Sequence, residues 1–361
     1  MSVSSTATPT KLWYTRCGAA TASGLAIRQG WLQDAFSTPD TQLQSLRDSP
    51  ELAIRNAHYH HGLSGLFREG GNIPPIWAKA GGADTVVLGI TWLDEYQGVL
   101  VRADSDLHTV ADLRGKRLAV PLHRGSLIDF QRGAAQHGYV HALAEAGLSV
   151  SDVTLVDIEA PAYDDEDGPR RARVPQARDH VLAALDAGEV DAVFIRFARG
   201  FRASRDPKYR QIINLNELGD PLKRVGNGVP RPITVDRAFL ETHHDVVVRY
   251  LSVLLRTARW AALHRNEVAD LLIPESGGAT RDDVFASHGP GVYLSFTPQL
   301  TPDYLLGLET QKNFLRDWGY LARDFDIQDW IDPEPLAEAR ALVANERDVW
   351  PGNSNALQRA A

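Results

Sequence analysis

Cysteine is almost absent from this chain: Cys17 is the single thiol in 361 residues. One cysteine excludes an internal disulfide and a thiolate-built zinc cluster. Positive charge is also scarce. The formal net charge of −8 argues against nucleic acid as a partner, because phosphate neutralisation needs a basic face. It leaves room for a small anion, which needs only a local positive pocket. No segment approaches the roughly 20 apolar residues that span a bilayer. The stretch 1–11 is rich in Ser and Thr and has no apolar signal core. A cytoplasmic protein without membrane association is therefore expected.

The rest of the composition, 43% hydrophobic and 23% charged, is that of an ordinary globular protein. The length suits two lobes better than one small core. Short β-rich runs alternate with helical stretches, which predicts an α/β architecture. Strands are expected at 11–17, 85–93, 98–102, 153–158 and 209–215, and at the end of the segment 110–120. Helices are expected at 21–35 and 126–147. The run 177–195 reads as a helix, a C-cap at Gly188 and a strand. From about 234 the chain reads as mostly helical, at 245–264, 266–273, 301–317 and 334–345. Two stretches read as loops, 160–175 and 219–232. The first carries Asp164, Asp165, Glu166 and Asp167 but lacks the spaced ligands of a calcium loop.

Cys17 ends the first predicted strand and precedes the small-residue run GAATASG, which leads into a helix. Helix N-terminal amides in that position would favour a thiolate. Taken alone, such a thiol is more often an inert buried residue. The segment HYHHGLSGLFREGGNIPPIWAKAGG, 58–82, adds chemistry. Arg68 offers a planar fork of donors suited to an oxyanion with two adjacent oxygens. Gly70 and Gly71 permit close approach of backbone amides. Pro75 suits the first turn of a helix at 75–80, whose N-terminus would add to an anion site. A histidine beside the cysteine can exchange a proton with it. His58, His60 and His61 lack a strong zinc spacing and no supporting carboxylate lies near in sequence, so no metal is expected. Arg68 paired with an acid elsewhere in the fold is the structural alternative.

The order strand, helix, DLRGKRLAV (112–120), long helix, LVDI, helix, ALDAGEVDAVFI (184–195) resembles the type II periplasmic-binding-protein fold in its sulfonate-, nitrate- and taurine-binding branch. The resemblance implies two α/β lobes with a ligand cleft between them. Lobe I would comprise 1–105 and 218–361, and lobe II 106–217, with crossovers near 100–108 and 212–232. Cys17, His58, Arg68, Gly70, Gly71, Ile73, Pro74 and Pro75 together resemble the pattern of the aromatic sulfinate desulfinases of dibenzothiophene desulfurisation. That resemblance implies cofactor-free hydrolytic cleavage of a carbon–sulfur bond in a small organosulfur anion, releasing sulfite, by a monomer. Arg68 and the Gly71 amide would hold the sulfinate oxygens. Cys17 would protonate the carbon or attack the sulfur, and His58 would orient Cys17. Proton donation needs the thiol and attack needs the thiolate.

Several residues depart from the family pattern. His60, His61 and Leu63 replace residues of other chemistry. Arg196 and Arg199 stand at the end of a second-lobe strand where the family is apolar. Strand ends of this kind face the crevice in α/β folds, so Arg196 is a substrate-binding candidate, with a solvent-facing side chain as the alternative. Tyr59, His61 and Ser126 are further substrate-binding candidates. Ser126 is expected to cap the long helix, with His123 or Arg124 near the ligand. Trp92 and Phe197 are candidates for the pocket wall, although core packing is the commoner fate of such rings. Two rival readings remain: a non-catalytic solute-binding protein for a sulfonate-like anion feeding a transporter, and a thiamine-precursor-synthase-like protein. The latter family relies on a cysteine-rich stretch and pyridoxal phosphate, and one cysteine does not fit it.

Overall fold

Among the described residues ten strands form two sheets of five. In chain order, β1 (Thr10–Tyr14), β2 (Thr41–Ser45), β3 (Leu66–Glu69) and β4 (Thr85–Thr91) belong to the first sheet. The chain then crosses to build the second from β5 (Gln97–Arg102), β6 (Arg117–His123), β7 (Thr154–Ala160), β8 (Ala192–Arg196) and β9 (Tyr209–Asn214). It returns to the first sheet with β10 (Arg231–Asp236). The structure is a computed structural model and describes residues 10–15, 20–162, 179–274, 280–344 and 346. Cys17 and most of the loop expected at 160–175 lie outside the described residues.

The strand orders are β2-β1-β3-β10-β4 and β7-β6-β8-β5-β9. β1 runs parallel to β2 and β3, and β6 runs parallel to β7 and β8. The first strand after each crossing, β5 or β10, is antiparallel to both of its neighbours. Both faces of each sheet are covered, which is why β4 reads TVVLGIT with every residue buried rather than alternating. Its Val86 and Leu88 enter one core with the helix His244–Leu263, while Val87 and Ile90 enter another with the helix Pro302–Asp317. In the second sheet Val99 and Val101 face one core and Leu100 the other. Alternation along a strand thus feeds two cores at once.

The expected α/β two-lobed fold is present, with differences in detail. The first crossing occupies the residues between β4 and β5, ahead of the expected 100–108, because 97–102 pairs with β8 and β9. The return falls between β9 and β10, within the expected 212–232. The expected helix at 21–35 is two helices, Ala22–Arg28 and Trp31–Phe36, broken at Gly30 with φ 79°. β10 replaces helical or loop structure at 231–236. Pro232 within it argues against a central strand in sequence terms, yet β10 lies between β3 and β4. The helices Leu52–His60 and Arg281–His288, and strands β2 and β3, were also not foreseen.

Candidate functional site

β3 carries Arg68 and Glu69 as successive residues, so their side chains leave opposite faces of the sheet. Arg68 is almost fully buried. Its Nε donates to the carbonyl oxygen of His58 at 3.0 Å and its Nη1 to that of Gly71 at 2.8 Å. The His58 carbonyl belongs to the last turn of the helix Leu52–His60, where carbonyl groups lack intrahelical donors and attract cations. His58 and Arg68 are therefore joined. The His58 ring meets Tyr59 edge-on, with centroids 5.0 Å apart.

The Gly70–Gly71 turn is clamped against the return crossing. Asn72 N donates to Asn227 O at 2.7 Å, and Ile73 N to Asn227 Oδ1 at 3.0 Å. Asn72 Nδ2 reaches the carbonyls of Gly226 and Pro230. A Cβ on Gly71 would lie 2.7 Å from Asn227 Nδ2 and 2.9 Å from its backbone oxygen, so only glycine fits. The helix here is Ile73–Gly81, starting two residues before the expected Pro75. Asn227 takes its Ile73 amide, so that helix end is not the open anion site expected from sequence.

On the other face Glu69 is almost fully buried and accepts from Ala22 N at 3.1 Å and Ser23 N at 2.7 Å. Thr21 Oγ1 caps Gly24 N at 2.9 Å. The helix after Cys17 thus has its first amides occupied, and by a carboxylate. Those helix-start amides therefore already have partners, while Cys17 itself lies outside the described residues. Burial raises the Glu69 carboxyl above its usual range, opposed by the Ser23 and Ala22 hydrogen bonds and by Arg231. Thr15, the last described residue before the 16–19 segment, exchanges hydrogen bonds with the Glu69 backbone at 3.2 Å.

The remaining candidates divide. Tyr59 stacks on Phe130 of the second lobe's long helix at 6.4 Å, across the lobe boundary. His61 ends its helix in the left-handed region (φ 55°), and its Nε2 bonds Thr234 Oγ1 at 2.9 Å. Its imidazole is therefore engaged with β10. Burial, then the Arg68 charge, lowers its pKa to about 3. Ser126 is not the helix cap. Asp129 caps the helix Phe130–Ala144 through Arg132 N, and also accepts from His123 N and Nδ1, which folds 123–129 into a turn. Arg124 bonds the exposed Glu159.

Arg196 is nearly buried, bonded to Glu95 and 4.6 Å over the Phe197 ring. Arg199 is about half-exposed, 3.6 Å from Asp179. Trp92 Nε1 bonds Asp94 and its ring meets Tyr304. Glu69, Glu95, Asn72, Asn227 and Arg231 were all missed. Of these only Asn72, inside GGNIPP, and Asn227, between two glycines, carry a local signal. Among the described residues no group of three or more His, Cys, Asp or Glu is placed to hold a metal, and no helix is long and apolar enough to cross a membrane.

No family model matches the chain. It is 27% identical over 308 residues to the 2'-hydroxybiphenyl-2-sulfinate desulfinase of Rhodococcus erythropolis, covering 77% of this chain and 82% of that protein. The chain is thus similar to that desulfinase along most of its length. Its fold matches a cysteine-to-serine variant of DszB in complex with biphenyl-2-sulfinic acid, with a TM-score of 0.75, 24% identity, and 93% of this chain and 100% of that one covered. The periplasmic aliphatic sulphonate binding protein SsuA of Escherichia coli has the same fold, with a TM-score of 0.62, 18% identity, and 90% and 93% covered. The chain therefore shares its fold with DszB and with a sulphonate-binding protein alike.

Proposed function

We propose that this protein is a sulfinate desulfinase that hydrolyses an aryl sulfinate R–SO2⁻ to R–H and hydrogensulfite. The observation that carries this reading is the Arg68 guanidinium, held by the His58 and Gly71 carbonyls at the end of β3, in a chain homologous to desulfinases along most of its length. In this reading Arg68 and the Gly71 amide bind the two sulfinate oxygens, Cys17 reacts and His58 orients it. Arg68 supplies the planar positive fork such an anion needs.

Of the two routes, proton donation by the Cys17 thiol is the one we adopt. The amides that open the following helix, those of Ala22, Ser23 and Gly24, are taken by Glu69 and Thr21 and so offer a thiolate no helix-end stabilisation. The Cys17 proton passes to the carbon bearing sulfur, and the C–S electron pair becomes the new C–H bond. R–H and sulfur dioxide result. Water adds to sulfur dioxide to give hydrogensulfite and one proton, which restores the thiol. No cofactor enters this balance. Lobe closure limits water to this last step. A free reactive thiol also suits a reducing compartment, so we place the enzyme in the cytoplasm and treat it as a monomer.

The test is sulfite release from a panel of aryl and alkyl sulfinates by the purified protein. Turnover of at least one aryl sulfinate is expected. Tight binding of sulfinates or sulfonates without sulfite release would identify a solute-binding protein instead.

A further inference from the structure

The two chain crossings meet at one buried carboxylate. Glu95 lies in the first crossing and has no solvent exposure. Its Oε2 accepts from Arg231 Nη2 at 3.1 Å, and its Oε1 accepts from Arg196 Nη2. Arg231 opens β10 in the first lobe, and Arg196 closes β8 in the second. Arg231, itself fully buried, also donates Nη1 to the carbonyl oxygen of Ala20 at 2.6 Å. A continuous hydrogen-bonded path therefore runs from the second lobe, through Glu95 and Arg231, to the residue that follows the 16–19 segment.

The second crossing passes directly over the same carboxylate. A Cβ on Gly228 would lie 2.1 Å from Glu95 Oε2, so only glycine allows the approach. Neighbouring contacts pin the crossings together: Gln97 Nε2 donates to Arg224 O at 2.7 Å, and Arg224 Nε lies 3.4 Å from Asp94 Oδ1. From the helix Arg281–His288, His288 Nδ1 donates to Asp94 O at 2.8 Å. A buried carboxylate between one buried and one nearly buried guanidinium group is stable only while all three are in place, because each charge left alone is costly. The Arg196–Glu95–Arg231 set is thus satisfied only when both lobes and both crossings hold this arrangement.

Resting on the desulfinase reading, we propose that Glu95 is a positioning residue for the reaction. Through Arg196 and Arg231 it ties the second lobe to the segment Ala20–Ser23, so that closing the cleft and aligning the reacting groups are one event. Glu69 anchors the same segment from β3 through Ala22 N and Ser23 N. The second lobe's polar hold on it runs through Glu95, beside the apolar packing of Ala198 in the same core as Ala20 and Ala22.

The experiment compares Glu95→Gln, Arg196→Gln and the double variant with the unmodified protein. Rates are counted per binding-competent site, measured by calorimetric titration with an aryl sulfonate, which cannot undergo the reaction. Loss of alignment predicts that Glu95→Gln lowers kcat on the order of 100-fold while KM stays within about threefold. Arg196→Gln, less buried and the safer variant for folding, is expected to lower kcat in the same way, with the double variant little worse than Glu95→Gln because the residues act as one unit. A kcat within about threefold of the unmodified protein in both single variants, or single effects that multiply, overturns the proposal. Failure of the desulfinase reading is separately visible as absence of sulfite release by the unmodified protein. In that case small-angle scattering with saturating aryl sulfonate still tests the joint. Glu95→Gln is expected to show a larger radius of gyration than the unmodified protein, and identical values overturn it.

Discussion

The Arg68 side chain is bonded to the main chain of His58, ten positions earlier, through a 3.0 Å hydrogen bond from Nε to the carbonyl oxygen. A second bond, from Nη1 to Gly71 O at 2.8 Å, fixes the guanidinium plane. Two bonds to two different backbone elements determine both where the positive charge sits and which way the fork faces.

Arg68→Lys therefore tests geometry separately from charge. A lysine ammonium is a point donor and cannot reproduce bonds from both Nε and Nη1. Loss of a charged hydrogen bond costs about 1.5–3 kcal/mol. A fall in kcat/KM of about 100-fold is expected from that range, together with a lower melting temperature. Steady-state sulfite release and thermal denaturation measure the two. Near-normal kinetics in Arg68→Lys would count against Arg68 as the anion fork.

Cys17→Ser is expected to abolish sulfite release and to leave aryl sulfinate binding intact within a few-fold. The proton-donor route further predicts that intact-mass analysis of rapidly quenched turnover finds no sulfur-containing adduct on Cys17. A trapped thiosulfonate-type adduct would establish attack on sulfur instead.

Gly71→Ala is expected to destabilise the protein by about 2 kcal/mol, in the range of overpacked sites. Its new methyl group would meet Asn227 Nδ2 at 2.7 Å, Oδ1 at 2.8 Å and the backbone oxygen at 2.9 Å. Asn227→Ala alone should cost about 1–3 kcal/mol through the lost bond to Ile73 N. Because the truncation clears two of the three collisions, the double variant should be more stable than the sum of the single effects predicts. Urea denaturation of the four proteins checks this, and strict additivity would contradict it.

Acid should weaken the fold before the carboxylates titrate. Burial lowers the pKa of His61 to about 3 and of His141 and His288 to about 4, from an ordinary 6.5. His137 is also held well below that value, first by burial and then by His141. These groups are neutral in the folded state and take up protons when unfolded. Their contribution to stability is complete above about pH 6.5 and is lost as the pH falls, down to about 4 for His141 and His288 and about 3 for His61. Each histidine adds a slope approaching about 1.4 kcal/mol per pH unit within its window. His288→Gln should remove one such increment from the pH dependence of denaturant-derived stability between pH 6.5 and 4.5. An unchanged slope would show that His288 already carries its proton in the folded state.

Periodicity and spacing made much of the fold legible in the sequence. Largely apolar runs such as TVVLGIT and GVLV announce strands covered on both faces. The helix, Gly188, strand pattern over 177–195 is local and ends as helix His180–Asp186 followed by β8. Short strands with mixed composition were not legible. β3 has four residues, two of them charged, and β10 contains Arg231 and Pro232. Their strand character comes from the neighbours they pair with, which lie far away in sequence.

The same division runs through the candidate site. The sequence by itself determined the chemical inventory: one thiol, a histidine and an arginine ten residues apart, and a glycine pair beside the arginine. Those are facts of residue type and short spacing, and they survive whatever the chain does elsewhere. The tertiary structure decided which charges are spent and on what. It gave Arg196 to Glu95, His61 to Thr234 and the Ala22 and Ser23 amides to Glu69. Those partners are separated by between 46 and 173 positions. The physical reason is that a buried charge or amide must be satisfied by whatever the fold brings within hydrogen-bonding distance, and no local pattern encodes that distance.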